Sequence, residues 1–455
     1  MKAPARNVKT ETQRAQRMHG VQRGKIALVA LTLLAMLAPI ASAQGGKTYA
    51  ITGAKIYTLA GPPIANGTVV IKDGKIAAVG ANVSVPSGAQ VINAKGLEVY
   101  PGMFNAVSQV GLVEVGQGEP GTVDLNELGD FNPQIVAAMA VHPASEHIPV
   151  VRAAGITHTV SVPGGGVMSG QGSLIHMSGW VIDEMLGKKS AALVLNWPTL
   201  APGGGGFGGG GGGGFGARRP FSELKQEYER RVTEIENWLE RARHYAQAAE
   251  KGSKDNFTRD EKLEALVPVV KGEVPVLVMA NDDRDIRNAV EFCEKQKLRM
   301  ILGRGREAWK VKDLLKQKNI PVILGRTHAL PAGEDEPYDK PYSAPGELAA
   351  AGVKIAFATF DIEFVRRLPN EAGQAVGYGL SHEDALKAVT INPAQMFGVD
   401  KELGTIEQGK IANIIVTSGD PLELQTDVRY LFIKGQLTST DNKHRQLYEK
   451  YRTRP

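Results

Sequence analysis

A single cysteine, Cys293, stands in a chain of 455 residues. It excludes an intramolecular disulfide in whatever compartment the protein reaches. It lies in Ile286-Arg287-Asn288-Ala289-Val290-Glu291-Phe292-Cys293, where apolar residues recur three and four apart. That spacing predicts a buried thiol on a helix, and no histidine is near it in sequence to activate it. Histidine is scarce too, nine residues in all. Among His158, His176 and His328 no pair has metal-ligand spacing, and His142, His147 and His382 read as loop or helix-cap residues. No nucleophile elbow surrounds Ser108 or Ser169, so nothing signals a serine triad. Without disulfide staples, a large hydrophobic core has to hold the chain together.

The charge is unevenly spread. Seven of the 53 basic residues but one of the 48 acidic ones fall in the first 43 positions. Lys2 to Lys25 form a basic stretch, Ile26 to Ile40 is an apolar run too short to span a bilayer stably, and Ala41-Ser42-Ala43 is a small-residue cleavage signal before Gln44. These 43 residues read as a secretory signal peptide. They have no twin arginine, and no cysteine follows them to carry a lipid, so the expected location is periplasmic or secreted. The rest of the chain is close to neutral. That balance gives no footprint for nucleic acid or for an anionic membrane surface after cleavage.

Residues 44–99 alternate short apolar runs with turn signals. Thr48-Tyr49-Ala50-Ile51, Ala54-Lys55-Ile56-Tyr57 and Gly67-Thr68-Val69-Val70-Ile71 read as strands, and Lys72-Asp73-Gly74-Lys75 as a hairpin turn. Residues 399–440 repeat the style, with Ala412-Asn413-Ile414-Ile415-Val416 and Tyr430-Leu431-Phe432-Ile433. Between them, residues 100–398 alternate buried-type strands (Ile156 to Val162, Ala192 to Asn196, Val274 to Met279, Met300 to Leu302, Ile320 to Leu324, Ile355 to Thr359) with helical patterns. The predicted fold is α/β: a distorted (β/α)8 barrel with a small composite β-sandwich built by both chain ends, and a tail at 441–455. A glycine tract at 202–217 reads as a surface insertion or as a lid anchored by Phe207 and Phe215. The charged stretch after it, Ser222 to Lys251, reads as a solvated helical excursion packing through Leu224, Tyr228, Val232, Ile235 and Leu239.

Three segments carry a family resemblance: Tyr100-Pro101-Gly102-Met103-Phe104-Asn105-Ala106-Val107-Ser108-Gln109, Ala388-Val389-Thr390-Ile391-Asn392-Pro393-Ala394-Gln395-Met396-Phe397-Gly398-Val399, and Leu403-Gly404-Thr405-Ile406-Glu407-Gln408-Gly409-Lys410-Ile411-Ala412-Asn413-Ile414-Ile415-Val416. Together they resemble the amidohydrolase superfamily, in its imidazolonepropionase-like and prolidase-like branch. The resemblance implies a barrel whose active members hold zinc through four histidines. The metal acidifies a water, and an aspartate after the last strand shuttles the proton. In this chain Asn105 stands at the first aspartate position, and Val107, Gln109, Met279 and Gly303 stand at the four histidine positions. No lysine stands out as a carboxylation candidate. Asp361, in Phe357-Ala358-Thr359-Phe360-Asp361, occupies the proton-shuttle place and reads equally as a cap or ion-pair residue. His328, with Glu334 and Asp335, is the alternative polar cluster.

The resemblance implies a hydrolase of non-peptide carbon–nitrogen bonds or dipeptide-like amides. The replaced imidazoles imply instead a metal-free pseudoenzyme, with no cofactor expected in this chain, that binds a small-molecule or peptide-like ligand. Expected partners are a second copy of the chain or an active amidohydrolase paralogue.

Overall fold

The structure is a computed structural model, and it describes residues 47–116, 120–200, 220–250, 258–331, 333 and 335–454. The signal peptide read at 1–43, the glycine tract at 202–217 and Glu334 lie outside the described residues.

The amino-terminal part contributes β1 (Tyr49–Ile56), β2 (Ile64–Lys72), β3 (Lys75–Gly80), β4 (Gln90–Asn93) and β5 (Glu98–Pro101). The barrel strands follow: β6 (Met103–Ser108), β7 (Ile156–Ser161), β8 (Met168–His176), β9 (Leu186–Asn196), β10 (Val276–Ala280), β11 (Met300–Arg304), β12 (Val322–Leu324) and β13 (Ile355–Phe357). The chain returns through β14 (Ile414–Thr417), β15 (Val428–Ile433) and β16 (Gln436–Thr438).

Both ends build one eight-stranded sheet in the order β16-β15-β14-β5-β1-β2-β3, with β4 paired to β1. The join is the antiparallel β5–β14 ladder, where Tyr100 faces Ile415 and Val99 faces Val416. The sheet curls on itself. Tyr49 of β1 and Phe432 of β15 meet edge to face at 5.1 Å although two strands separate them in the sheet. Its apolar filling, with Ile51, Ile56, Ile71, Val99, Ile414 and Phe432, comes from both ends of the sequence. Neither end can bury this surface alone, which is why the module is discontinuous.

The second sheet runs β13-β12-β11-β10-β9-β8-β7-β6. Seven strands share one direction; β8 runs against both its neighbours. This is the distortion of the barrel: β7, β8 and β9 form a meander with no long crossover helix. Sequence reading missed β8, because Met168-Ser169-Gly170-Gln171-Gly172-Ser173 lacks β-branched residues. Its glycines are there for space. A Cβ at Gly172 would lie 2.9 Å from Val162 Cγ1, and one at Gly170 would lie 2.8 Å from the Ile135 carbonyl oxygen.

The ends of the sheet close through side chains and the segment after β13. Asn105 Nδ2 donates to Thr359 Oγ1 at 2.9 Å, Thr359 N donates to Asn105 Oδ1 at 3.2 Å, and Phe360 N donates to the Val107 carbonyl at 3.0 Å. Along the parallel strands the apolar runs divide by alternation. Leu277, Met279, Ile301, Ile323 and Ala356 fill the barrel interior. Val276, Val278, Leu302, Val322 and Ile355 pack outward under the helices.

The helix Asp283–Lys295 buries Ile286, Ala289, Val290 and Cys293 at the predicted spacing. The helix Phe221–Glu250 is largely solvent-facing and packs through the apolar residues named for it, with two alanines added. It buries Ile235, Leu239, Ala242 and Ala246, packs Tyr228 and Val232 against the core, and leaves Leu224 half-buried. Residues read as a tail form a helix, Lys443–Tyr451, capped by Asn442. Among the described residues no helix is long and apolar enough to cross a membrane.

Candidate functional site at the barrel mouth

The parallel strands end at a cleft of about 850 Å³. Its walls come from the loops after β6, β10, β11, β12 and β13, the face where barrel loops carry chemistry. Gln109, Asn281, Arg304, Arg326, Thr359 and Asp361 give it polar groups, and Leu125, Phe360 and Phe364 give it apolar surface.

Of the positions that sequence reading singled out, Gln109 and Asp361 line this cleft, and Val107, Met279 and Gly303 do not. Val107 and Met279 are buried in the apolar interior with Phe104, Leu277, Ile301 and Phe360. Met279 and Gly303 are register partners on β10 and β11. Gly303 offers no side chain, and a Cβ there would lie 2.7 Å from Met279 Sδ. A divalent cation needs imidazole, carboxylate or thiolate donors, or several oxygens around one point. A valine, a thioether, a glycine and a single amide do not fit that requirement. Among the described residues no three His, Cys, Asp or Glu side chains come close enough together to hold a metal ion.

Asp361 is four residues beyond β13. Its Oδ1 accepts from Phe364 N at 3.0 Å, and its Oδ2 faces Arg326 Nη1 at 3.6 Å. Burial raises its carboxyl above the usual carboxylate value, while the Phe364 N–H and Arg326 oppose the shift. The residue is at once a turn cap, an ion-pair member and a cleft group. Arg326 stacks on Phe364, 4.5 Å from the ring centroid.

His328 does not join Asp335 in a polar cluster. The loop after β12 sends Thr327 and Ala329 into the cleft and turns His328 away from it. The cause is Glu371, almost fully buried, whose Oε2 accepts from Thr327 N (2.7 Å), Thr327 Oγ1 (2.7 Å) and His328 N (3.0 Å) and lies 3.1 Å from His328 Nδ1. Asp335 is exposed. His158 and His176 do meet, but at the opposite end of the barrel. Asn413 Nδ2 lies 3.3 Å from His158 Nδ1 and 3.1 Å from His176 Nδ1, tying β7 and β8 to the composite sheet. Burial depresses both rings, with the neighbouring His176 adding for His158 and Lys434 for His176, which falls to about 3. They are neutral structural groups.

Sequence reading passed over the cations of the mouth: Arg304, Arg306, Arg326 and Lys340 all line the cleft. The signal was present in Gly303-Arg304-Gly305-Arg306, where glycines bracket a charged residue at a strand end.

Comparison with known proteins agrees with this architecture. Residues 281–440 match the amidohydrolase family model. The chain is 24% identical over 401 residues to the amidohydrolase tasK of Hapsidospora irregularis, across 81% of this chain and 39% of that one. It therefore spans about two fifths of the length of the curated relative it matches. A crystal structure of an amidohydrolase from Thermotoga maritima is similar with a TM-score of 0.72 at 25% identity, over 86% of this chain and 99% of that one. Molinate hydrolase shares the fold at a TM-score of 0.55 and 16% identity, over 87% of this chain and 95% of that one.

Proposed function

The chain belongs to the amidohydrolase superfamily, and from that premise we propose that it binds a small amide- or peptide-like molecule at the barrel mouth without metal-dependent hydrolysis. One observation carries this reading. The interior where the family's metal ligands are expected is packed with Val107, Met279, Leu277 and Phe360, while the cleft directly above keeps its polar lining. Metal-dependent hydrolysis needs a Lewis acid and an acidified water at one point, and the apolar packing offers donors for neither. The test is elemental analysis of protein purified from metal-supplemented cells, with a dipeptide and N-acyl amino acid hydrolysis screen in the presence of zinc or manganese. We expect no stoichiometric metal and no metal-stimulated turnover. One equivalent of metal, with turnover lost on chelation, overturns the reading.

A second reading, slow hydrolysis with Asp361 as general base, draws on a specific feature: burial moves that carboxyl towards a proton-accepting range in a cleft residue. Its test is Asp361→Asn, which should abolish any residual turnover while the melting temperature stays within a few degrees; full activity in that variant excludes it. Export to the periplasm and work beside a second subunit belong to the same proposal. Light scattering and a pull-down from the native host test it; a monomer with no co-purifying hydrolase counts against it.

A further inference from the structure

The last helix, Lys443–Tyr451, carries an apolar stripe that no other described element covers. Asn442 starts the helix, its Oδ1 accepting from His444 N at 3.0 Å and from Arg445 N at 3.2 Å. His444, Leu447, Tyr448 and Tyr451 recur three and four apart, so they share one side of it. None of the helix residues is buried: Leu447 is 40% exposed, Tyr448 66% and Tyr451 43%. A shallow groove on this side is lined by His444, Leu447, Tyr448, Tyr451 and Arg452, all from the helix and the residue that follows it. Large apolar side chains gathered in water on one side of a helix mark a contact surface.

The charges around the stripe select the partner. Residues 442–454 hold five basic side chains, Lys443, Arg445, Lys450, Arg452 and Arg454, against one acid, Glu449. Lys443 and Lys450, seven apart, run along one edge of the stripe, and Arg445 and Arg452 along the other. Glu449 lies on the far side and pairs with Arg452. Lys450 and Arg454 lie 5.3 and 4.3 Å from the centroid of the Tyr451 ring, so cations sit directly against the apolar surface. A second copy docking stripe to stripe about a two-fold axis would set these basic edges against one another. An anionic lipid surface suits both parts: its headgroups take the cations, and its interface takes leucine and tyrosine. The near-neutral balance of residues 44–455 as a whole conceals this local excess. The helix stands beside the barrel mouth. Lys443 and His444 border a small hollow with Glu146, Ile362 and Glu363, and the last two also line the cleft.

We propose that the helix Lys443–Tyr451 docks the protein on an anionic lipid surface. The helix lies in the plane of the interface, with Leu447, Tyr448 and Tyr451 seated among the headgroups and the flanking lysines and arginines on the lipid phosphates. Binding through one short helix is weak and reversible, and it holds the rim of the mouth near the lipid. The inference does not depend on what the cleft binds or on whether the barrel holds a metal.

The test is amide exchange and co-sedimentation of the full chain with vesicles of phosphatidylcholine alone and of phosphatidylcholine mixed equally with phosphatidylglycerol. Exchange is read at residues 443–454, which separates the helix from any contact made by the basic, apolar stretch at 2–40. Exchange at Leu447 to Tyr451 should slow severalfold on the anionic vesicles, stay unchanged on phosphatidylcholine, and recover as salt is raised. The L447S/Y448S/Y451S variant and the K443Q/R445Q/K450Q/R452Q variant should each lose that protection and sediment about tenfold less well than the parent. Since no side chain of the helix is buried, both variants should keep the parent's melting temperature. Unslowed exchange on anionic vesicles, equal protection on both vesicle types, or protection retained in either variant would overturn the inference. So would protection without vesicles that grows with protein concentration alongside a dimer in light scattering, which assigns the stripe to a second copy.

Discussion

Met279 fills the space that Gly303 leaves open. The two are register partners on adjacent strands, and a Cβ at position 303 would sit 2.7 Å from Met279 Sδ. The pair is one packing unit, which yields a coupling prediction. Met279→Ala should cost about 2–5 kcal/mol through cavity formation. Gly303→Ala should cost about 1–3 kcal/mol through overpacking. The double variant should be less destabilised than the sum by about 1 kcal/mol, because the cavity accepts the new methyl. Urea unfolding of the four proteins measures this, and strict additivity would show that the residues do not share the space.

Asn105 joins the first barrel strand to the segment after the last through both its amide atoms. Asn105→Leu should destabilise the protein by about 2–3 kcal/mol, because Thr359 N and Oγ1 lose partners in a dry site. Thr359→Val should cost less, since its N–H still reaches Asn105 Oδ1. Equal losses in the two variants, read from denaturant midpoints, would contradict the closure role.

Glu371 organises the loop that bears Arg326. Its Oε2 faces four donor positions on Thr327 and His328. Glu371→Ala should cost about 3 kcal/mol or more, as buried donors go unpaired. Amide exchange at Thr327 and His328 should rise, while exchange in the composite sheet should stay as it was. Protection at those two amides unchanged in the variant would show that the loop is held by something else.

The buried pair His158 and His176 predicts acid sensitivity. Both are neutral in the fold, while in the unfolded chain they protonate near pH 6.5. Below that pH the unfolded state binds more protons, so stability is fully present above about pH 6.5 and falls as pH drops towards about 3, the value of folded His176. Each histidine should remove about 2 kcal/mol between pH 8 and pH 5. The His176→Asn variant should show a shallower slope of unfolding free energy against pH across that window. An identical slope in the variant would remove His176 from the explanation.

Much of the fold is legible in the sequence because its signals are local. The hairpin at Asp73-Gly74, the β-branched runs that became β10 to β13, and the helix around Cys293 each follow from neighbours a few residues apart. The resemblance in Tyr100 to Gln109 likewise marks the first barrel strand, Met103–Ser108. What sequence could not decide depends on groups far apart in the chain. Strand β8 is polar and glycine-rich, and it becomes a strand only because β7 and β9 offer ladders on both sides. His328 reads as a cleft residue until Glu371, 43 residues later, turns it away. Arg304 follows strand parity on paper, and only the left-handed turn at the strand end, packed against Phe360, delivers its charge to the mouth. Sequence by itself determined which side chains exist and which periodicities they favour. The tertiary structure decided which of them face the same volume, because burial and hydrogen-bond satisfaction are settled among residues that meet only once the barrel has closed.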